Sequence, residues 1–449
     1  MRQSIRSRDR RASEDLARIA ALSDMSADGR CWVVLKVEES GDEAMSSTVL
    51  VGKTVLVGPV GCSVQDGAVR IRDGRIDAVG PGPEVLASSP ESEVKHFPGA
   101  TLLPGLIDAH THLVLDGGPG ASQRFAAPAR GGSGGDDEAL LGQMRIRAAH
   151  ALQTGVTTMR DVGDARGLAR RLRDEPSLDI PLPRILTAGS ALTIRDGEAA
   201  FLGGAVEPQG GLRAAVRSRV AEGADFISIM GSGGLLGLAG PAVYEPQFSL
   251  SEICEAVDEA HAAGVRVVVH AHAAEAIARA VQAGADEVDH MTGVTRERDI
   301  IRDEVSARQM ADQGIAACVI HSANWRRVVA GSSHKMWDKM YGKLPWLAKV
   351  GVPLIAGSRA GTANALFSNF VDGLEAYTWA GLSAESVIES VTSRSAKHLG
   401  LAEVTGRLKV GLAGDVLVVD GDPREDIGAL RKVQYVLSAG RPVGTAATC

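Results

Sequence analysis

His110 and His112, separated by one residue, close an apolar run, Leu102-Leu-Pro-Gly-Leu-Ile107, that leads through Asp108. Side chains two apart on a strand share a face. Both imidazoles can therefore aim at one point beyond the strand end, and imidazole is the commonest metal ligand. The spacing recurs in Val265-Arg-Val-Val-Val-His-Ala-His272, which puts His270 and His272 on one face, and Asp286-Glu-Val-Asp-His290 ends in His290. A hydrogen-bonded core or rim histidine would account for any one of them. As a group at the ends of three apolar runs, they point to shared chemistry.

The surrounding pattern is one that would position them. Between residues 100 and 400, apolar runs alternate with helical periodicity, as in parallel strands joined by crossover helices. Strands are expected at 101–109, 155–161, 184–190, 225–231, 265–271, 285–290, 315–321 and 352–357, the eight that a closed barrel needs. Helices are expected at 136–153, 212–222, 249–263, 273–283, 303–313 and 383–398, with Ser249-Leu-Ser-Glu252 as a capping box. Short β runs precede this region (Val49-Leu-Val51, Lys53–Val57, Gly67–Arg72, Arg75–Val79), with Asp73-Gly74 as a two-residue hairpin turn. Similar runs follow it, Asp415–Asp420 and Val433–Gly440. The Gly-, Ala- and Ser-rich loop 117–135 after the first strand is long enough for a lid. Residues 1–45 read as an extension, with one short helix at 12–22 and a strand from Trp32 to Val37.

At Pro104-Gly-Leu-Ile-Asp-Ala-His-Thr-His112 the chain resembles the amidohydrolase superfamily, in the branch of imidazolonepropionases, prolidase-like dipeptidases and ochratoxin-type amidases. The resemblance spans about residues 46 to 440. It implies an α/β fold: a (β/α)8 TIM barrel over 100–401, and a small β-sandwich made of 46–99 with 402–449. It further implies a metal centre at the strand C-termini and hydrolysis of an amide or cyclic amide. The family's ligand histidines match His110, His112, His270 and His290, for zinc or another divalent metal. His272 is left as a supporting group, a substrate contact or a spare ligand.

Two positions depart from the family pattern. A lysine whose carbamate bridges two metals in relatives is replaced by Ser228, in Gly223-Ala-Asp-Phe-Ile-Ser-Ile-Met-Gly-Ser-Gly-Gly234. The aspartate that binds metal and takes a proton from water is replaced by Arg359, in Val352-Pro-Leu-Ile-Ala-Gly-Ser-Arg-Ala-Gly361. Arginine stays charged and only donates. Two unit charges about 4 Å apart repel by about 4 kcal/mol at an effective dielectric near 20, so a second metal is disfavoured unless the guanidinium turns away. One metal, or none, is expected. Arg359 either holds a substrate carboxylate or pairs with Asp161 or Glu245. The candidates for a replacement base are His272, Asp161 and His321. Tyr244 matches a substrate-facing segment, and Ser232-Gly-Gly234 is either an oxyanion site or a tight turn.

Composition narrows the alternatives. The chain has 449 residues, 45% hydrophobic and 23% charged, as in a globular protein with room for a barrel and a satellite domain. A net charge of -7 without a dense basic patch argues against nucleic acid. No apolar run reaches the roughly 18 residues of a membrane span. The charged N-terminus and five scattered cysteines suit the cytoplasm. The glycines from 231 to 237 lack the downstream acid of a dinucleotide site. The expectation is a C–N hydrolase acting on a small anionic molecule and, from the resemblance, forming a homo-oligomer. The alternatives are a cyclisation, condensation or elimination on the same fold, an inactive homologue kept for binding, or an inactivated variant.

Overall fold

The computed structural model describes residues 47–127, 136–175, 180–206, 211–234, 236, 240–321 and 323–444. The expected helix at 12–22, the strand at Trp32 and the loop's second half, 128–135, lie outside them.

Eight parallel strands run in chain order: Leu106–Thr111, Val156–Asp161, Arg184–Thr187, Phe226–Met230, Arg266–Ala273, Glu287–Val294, Ala316–Cys318 and Leu354–Ile355. The first three form one sheet and the other five a second. Hydrogen bonds carry the pairing across both seams. At one, Leu192 N–H donates to Ser228 O and Met230 N–H to Leu192 O, each at 2.8 Å. At the other, His112 N–H donates to Ala360 O and Arg359 N–H to His110 O, also at 2.8 Å. The result is a (β/α)8 barrel with a β-sandwich domain. In that domain the segment from Ser47 to Pro104 supplies a strand that pairs with Val416–Asp420, which in turn pairs with Val433–Ser438.

The first barrel strand is shorter than expected. Thr101 to Pro104 belong to Glu93–Pro104, which pairs with Val416–Asp420 in the other sheet. The chain changes sheets at Gly105, whose N–H donates to Asp415 O. A side chain there would meet Thr157 Oγ1 at 2.2 Å, so only glycine passes. The expected Asp73-Gly74 turn forms with both residues at positive φ, 49° and 75°.

Most of the expected helices appear. Leu250–Ala262 carries the capping box between Ser249 and Glu252, and Asp136 and Asp303 cap Asp137–Gln153 and Glu304–Gln313. The expected helix 383–398 is instead two, Ala384–Ser390 and Ser393–His398. The carbonyls between them are needed elsewhere: Ile107 N–H donates to Val391 O and Ala356 N–H to Ser390 O, on the two strands at one barrel seam. No helix among the described residues is long and apolar enough to cross a membrane.

Candidate active site

Four imidazole rings meet at the C-terminal mouth of the barrel. His110 lies 5.3 Å from His112, 4.9 Å from His270 and 5.1 Å from His290, ring centre to ring centre. Ligand nitrogens of His110, His270 and His290 all fall within 4.8 Å of one another. Those of His112 fall outside that group, with Nδ1 3.3 Å from Gly163 O. His272 stacks on His290 at 4.3 Å, and its Nδ1 lies 2.8 Å from Thr292 Oγ1. Burial pushes all five pKa values down, His112 to about 4 and His272 to about 3. The rings are therefore neutral at neutral pH, with lone pairs free for a ligand.

Their directions are set from beneath. Asp289 Oδ2 lies 2.7 Å from His110 Nδ1. A carboxylate only accepts, so it fixes the proton on Nδ1 and turns the lone pair of Nε2 toward the cavity. That Nε2 is buried and has no hydrogen-bond partner. Ser228 Oγ lies 3.0 Å from His270 Nε2. Below this layer, Arg160 grips Glu287 with both terminal nitrogens and donates from Nε to Ala109 O at 2.6 Å. Asp108 accepts from Ser358 N–H at 2.8 Å and from the Ser358 hydroxyl, and burial raises its pKa to about 6. Reading the sequence missed Arg160, Glu287 and Asp289. Their signal was there: Glu287 and Asp289 are charged residues two apart in a strand buried on both faces.

Arg359 stands beside the rings with φ +60°. Its Nε is buried without a partner, and among the described residues no ion pair holds the guanidinium. Burial lowers its pKa, opposed by the charge of Glu198, and its own charge helps to depress His110, His112, His272 and His290. The pairing weighed for it does not form. Asp161 accepts from Leu113 N–H at 2.6 Å and Gly163 N–H at 3.2 Å, and Glu245 accepts from Ala242 N–H at 2.6 Å.

A model of the amidohydrolase family matches residues 101–445. This chain belongs to the amidohydrolase family. An uncharacterized protein of Mycobacterium tuberculosis is 25% identical over 360 residues, covering 78% of this chain and 86% of that protein. Imidazolonepropionase of Xanthomonas campestris pv. campestris is 26% identical, over 81% of this chain and 90% of the enzyme. Among solved structures, a Xaa-Pro dipeptidase with methionine bound in its active site is 25% identical, with a TM-score of 0.75, over 88% of this chain and 99% of that one.

Against that family the donor set is spare. Three imidazoles, one with an orphaned nitrogen, fit a single divalent ion. No lysine joins the group among the described residues, and Asp289, whose Oδ2 lies 2.7 Å from His110 Nδ1 and 3.7 Å from His270 Nε2, sits beneath the rings. Glu287, Asp289 and Cys318 also approach one another, but Arg160 already supplies their countercharge.

The other sequence candidates fare differently. Asp161, pushed up to about 7 by burial, spends one oxygen bracing the loop after the first strand and the other on the loop after its own. In the segment Ser232–Gly234 the Ser232 hydroxyl donates to Gly233 O and accepts from His272 N–H, and Gly233 N–H donates to Glu245 O, so neither the hydroxyl nor that N–H faces a ligand. These bonds fasten the fourth strand's end to the fifth. Half-buried Tyr244 lies under Arg298 at 5.9 Å.

His321 stacks on Tyr341 at 4.5 Å, with Tyr377 at 5.7 Å, and its ring contacts are with these tyrosines rather than with the clustered imidazoles. Burial lowers its pKa to about 3. The folded state keeps this ring neutral, whereas the unfolded chain protonates it below about pH 6.5, so stability is lost as pH falls through that value. His321→Phe, which keeps a ring against Tyr341, should gain about 2 kcal/mol relative to the parent between about pH 7.5 and pH 5. Urea unfolding at both pH values measures this; a difference independent of pH would reject it.

Proposed function

We propose that this amidohydrolase hydrolyses a C–N bond (amide, lactam or cyclic amide) in a small substrate carrying a carboxylate or similar anion. One divalent ion at most, such as zinc, would be held by His110, His270 and His290, with His112 at its edge. The observation that carries this reading is the Arg359 guanidinium, buried beside neutral imidazoles with an unpartnered Nε, within the field of Glu198 but in no ion pair among the described residues. Its planar fork suits bidentate capture of a carboxylate. The named relatives fit this scale of substrate: one is an imidazolonepropionase and another a Xaa-Pro dipeptidase.

A bound metal would act as a Lewis acid on the scissile carbonyl. The chain's own groups do the rest. Arg359 anchors the substrate's anion, and Asp289 and Ser228 hold the rings of His110 and His270. Since Asp289 sits beneath the rings, we assign the proton to an imidazole. His272, fixed through Nδ1 by Thr292, is that group: burial and then the charge of Arg359 hold its pKa to about 3, and a bound substrate anion on Arg359 would offset the second of these.

One observation favours a second reading. An arginine in place of the proton-accepting acid suits a cyclisation, condensation or elimination that needs no activated water. Metal analysis and turnover of N-acyl amino acids and dipeptides, with and without chelator, separate the two. The expected result is no more than one ion per chain and activity that the chelator abolishes. Two ions per chain would overturn the single-metal reading, chelator-insensitive turnover would favour the second, and binding without turnover would leave a binding protein.

A further inference from the structure

The end of the sixth barrel strand leaves β geometry at the residue that matters most. His290 and Met291 have φ of 68° and 50°, and Gly293 follows at 74°. Left-handed backbone is disfavoured for side-chain-bearing residues, and it persists where surrounding groups over-determine it. Here the surrounding group is Lys343, whose Nζ donates to both Met291 O and Thr292 O.

Lys343 is an unusual choice for that task. It is 3% exposed and begins the helix Lys343–Val350, where the backbone dipole disfavours a cation. Among the described residues no carboxylate pairs with it. A buried ammonium without an acid is costly unless it satisfies groups that nothing else reaches, and the two carbonyls are such groups. The consequences run into the site. Thr292 Oγ1 lies 2.8 Å from His272 Nδ1, and His272 stacks on His290 with planes 21° apart.

We propose that Lys343 is a positioning residue of the histidine group: by holding the Met291 and Thr292 carbonyls, it sets the ring directions of His290 and His272. This inference rests on His290 being a metal ligand, as proposed above, only for its effect on metal affinity. Its effect on the rings stands apart from any metal.

The test uses the full chain, stripped of metal, with two readings: zinc affinity by competition with a chelator, and the ring signals of nitrogen-labelled histidines in the metal-free protein. Lys343→Met should weaken zinc binding about tenfold or more, as loss of a group that orients ligands typically does, and should move the His272 and His290 signals. Met310→Ala, a core truncation on the helix Glu304–Gln313 at 0% exposure, controls for lost stability and should move neither. If Lys343→Met does not fold, Lys343→Arg decides by the same readings, because it keeps the charge but cannot keep the position of Nζ. A folded Lys343 variant with parental zinc affinity and parental ring signals overturns the proposal. A parent chain that binds no zinc defeats the metal reading alone; the ring signals then decide on Lys343.

Discussion

Arg359→Met should weaken binding of an acid ligand by about 10- to 100-fold, the worth of a charge-assisted hydrogen-bond pair, and leave the neutral amide of that ligand within about threefold. The asymmetry follows from the guanidinium's unpartnered Nε and from the absence of any ion pair to it among the described residues. A group with no task inside the fold is available to a ligand. The same substitution removes a positive charge that depresses four of the imidazoles, so zinc affinity should rise. Titration calorimetry with the acid, its amide and zinc reads all three. Equal losses for acid and amide would show that Arg359 shapes the cavity without pairing with the substrate.

Arg160→Met should destabilise the chain by about 3–5 kcal/mol, the usual cost of stripping one partner from a buried ion pair. Glu287 and Asp289 would be left as fully buried carboxyls, 2% and 0% exposed. Burial already pushes the Glu287 carboxyl up, and the guanidinium opposes that push. Without it the acids must take up protons or draw in water. Replacing both members, Arg160→Met with Glu287→Met, should recover part of the loss, because an apolar pair of similar volume has no charge to solvate. Urea unfolding of the single and double variants gives both numbers. A single variant within about 1 kcal/mol of the parent would mean that the layer beneath the histidines is not held by this pair.

These effects trace back to unequal legibility along the chain. The two-residue spacing of His110 with His112, and of His270 with His272, was readable because strand periodicity is local: the pleat alone puts alternate side chains on one face. The Ser249–Glu252 capping box and the Asp73-Gly74 turn were readable for the same reason, since each is completed within four residues. Periodicity could not say where Thr101–Pro104 would pair, because its partner, Val416–Asp420, lies more than three hundred residues away.

The site shows the division most sharply. Local order alone would point Asp289 and His290 to opposite faces of their strand. Yet Asp289 meets His110 Nδ1, while His290 joins the ring group, because the backbone turns left-handed at His290 and is held there by Lys343. The fate of Arg359 was likewise non-local: Asp161 and Glu245, the acids weighed as its partners, are occupied by peptide N–H groups, those of Leu113 and Gly163 for Asp161 and that of Ala242 for Glu245. The sequence by itself determined the barrel's strand count and the histidine-bearing strand ends, both matters of residue type and short-range order. Only the tertiary structure decided which nitrogens converge, which carboxylate orients them and which cation is left without a partner. Those depend on hydrogen bonds between segments that only the closed ring of strands brings together.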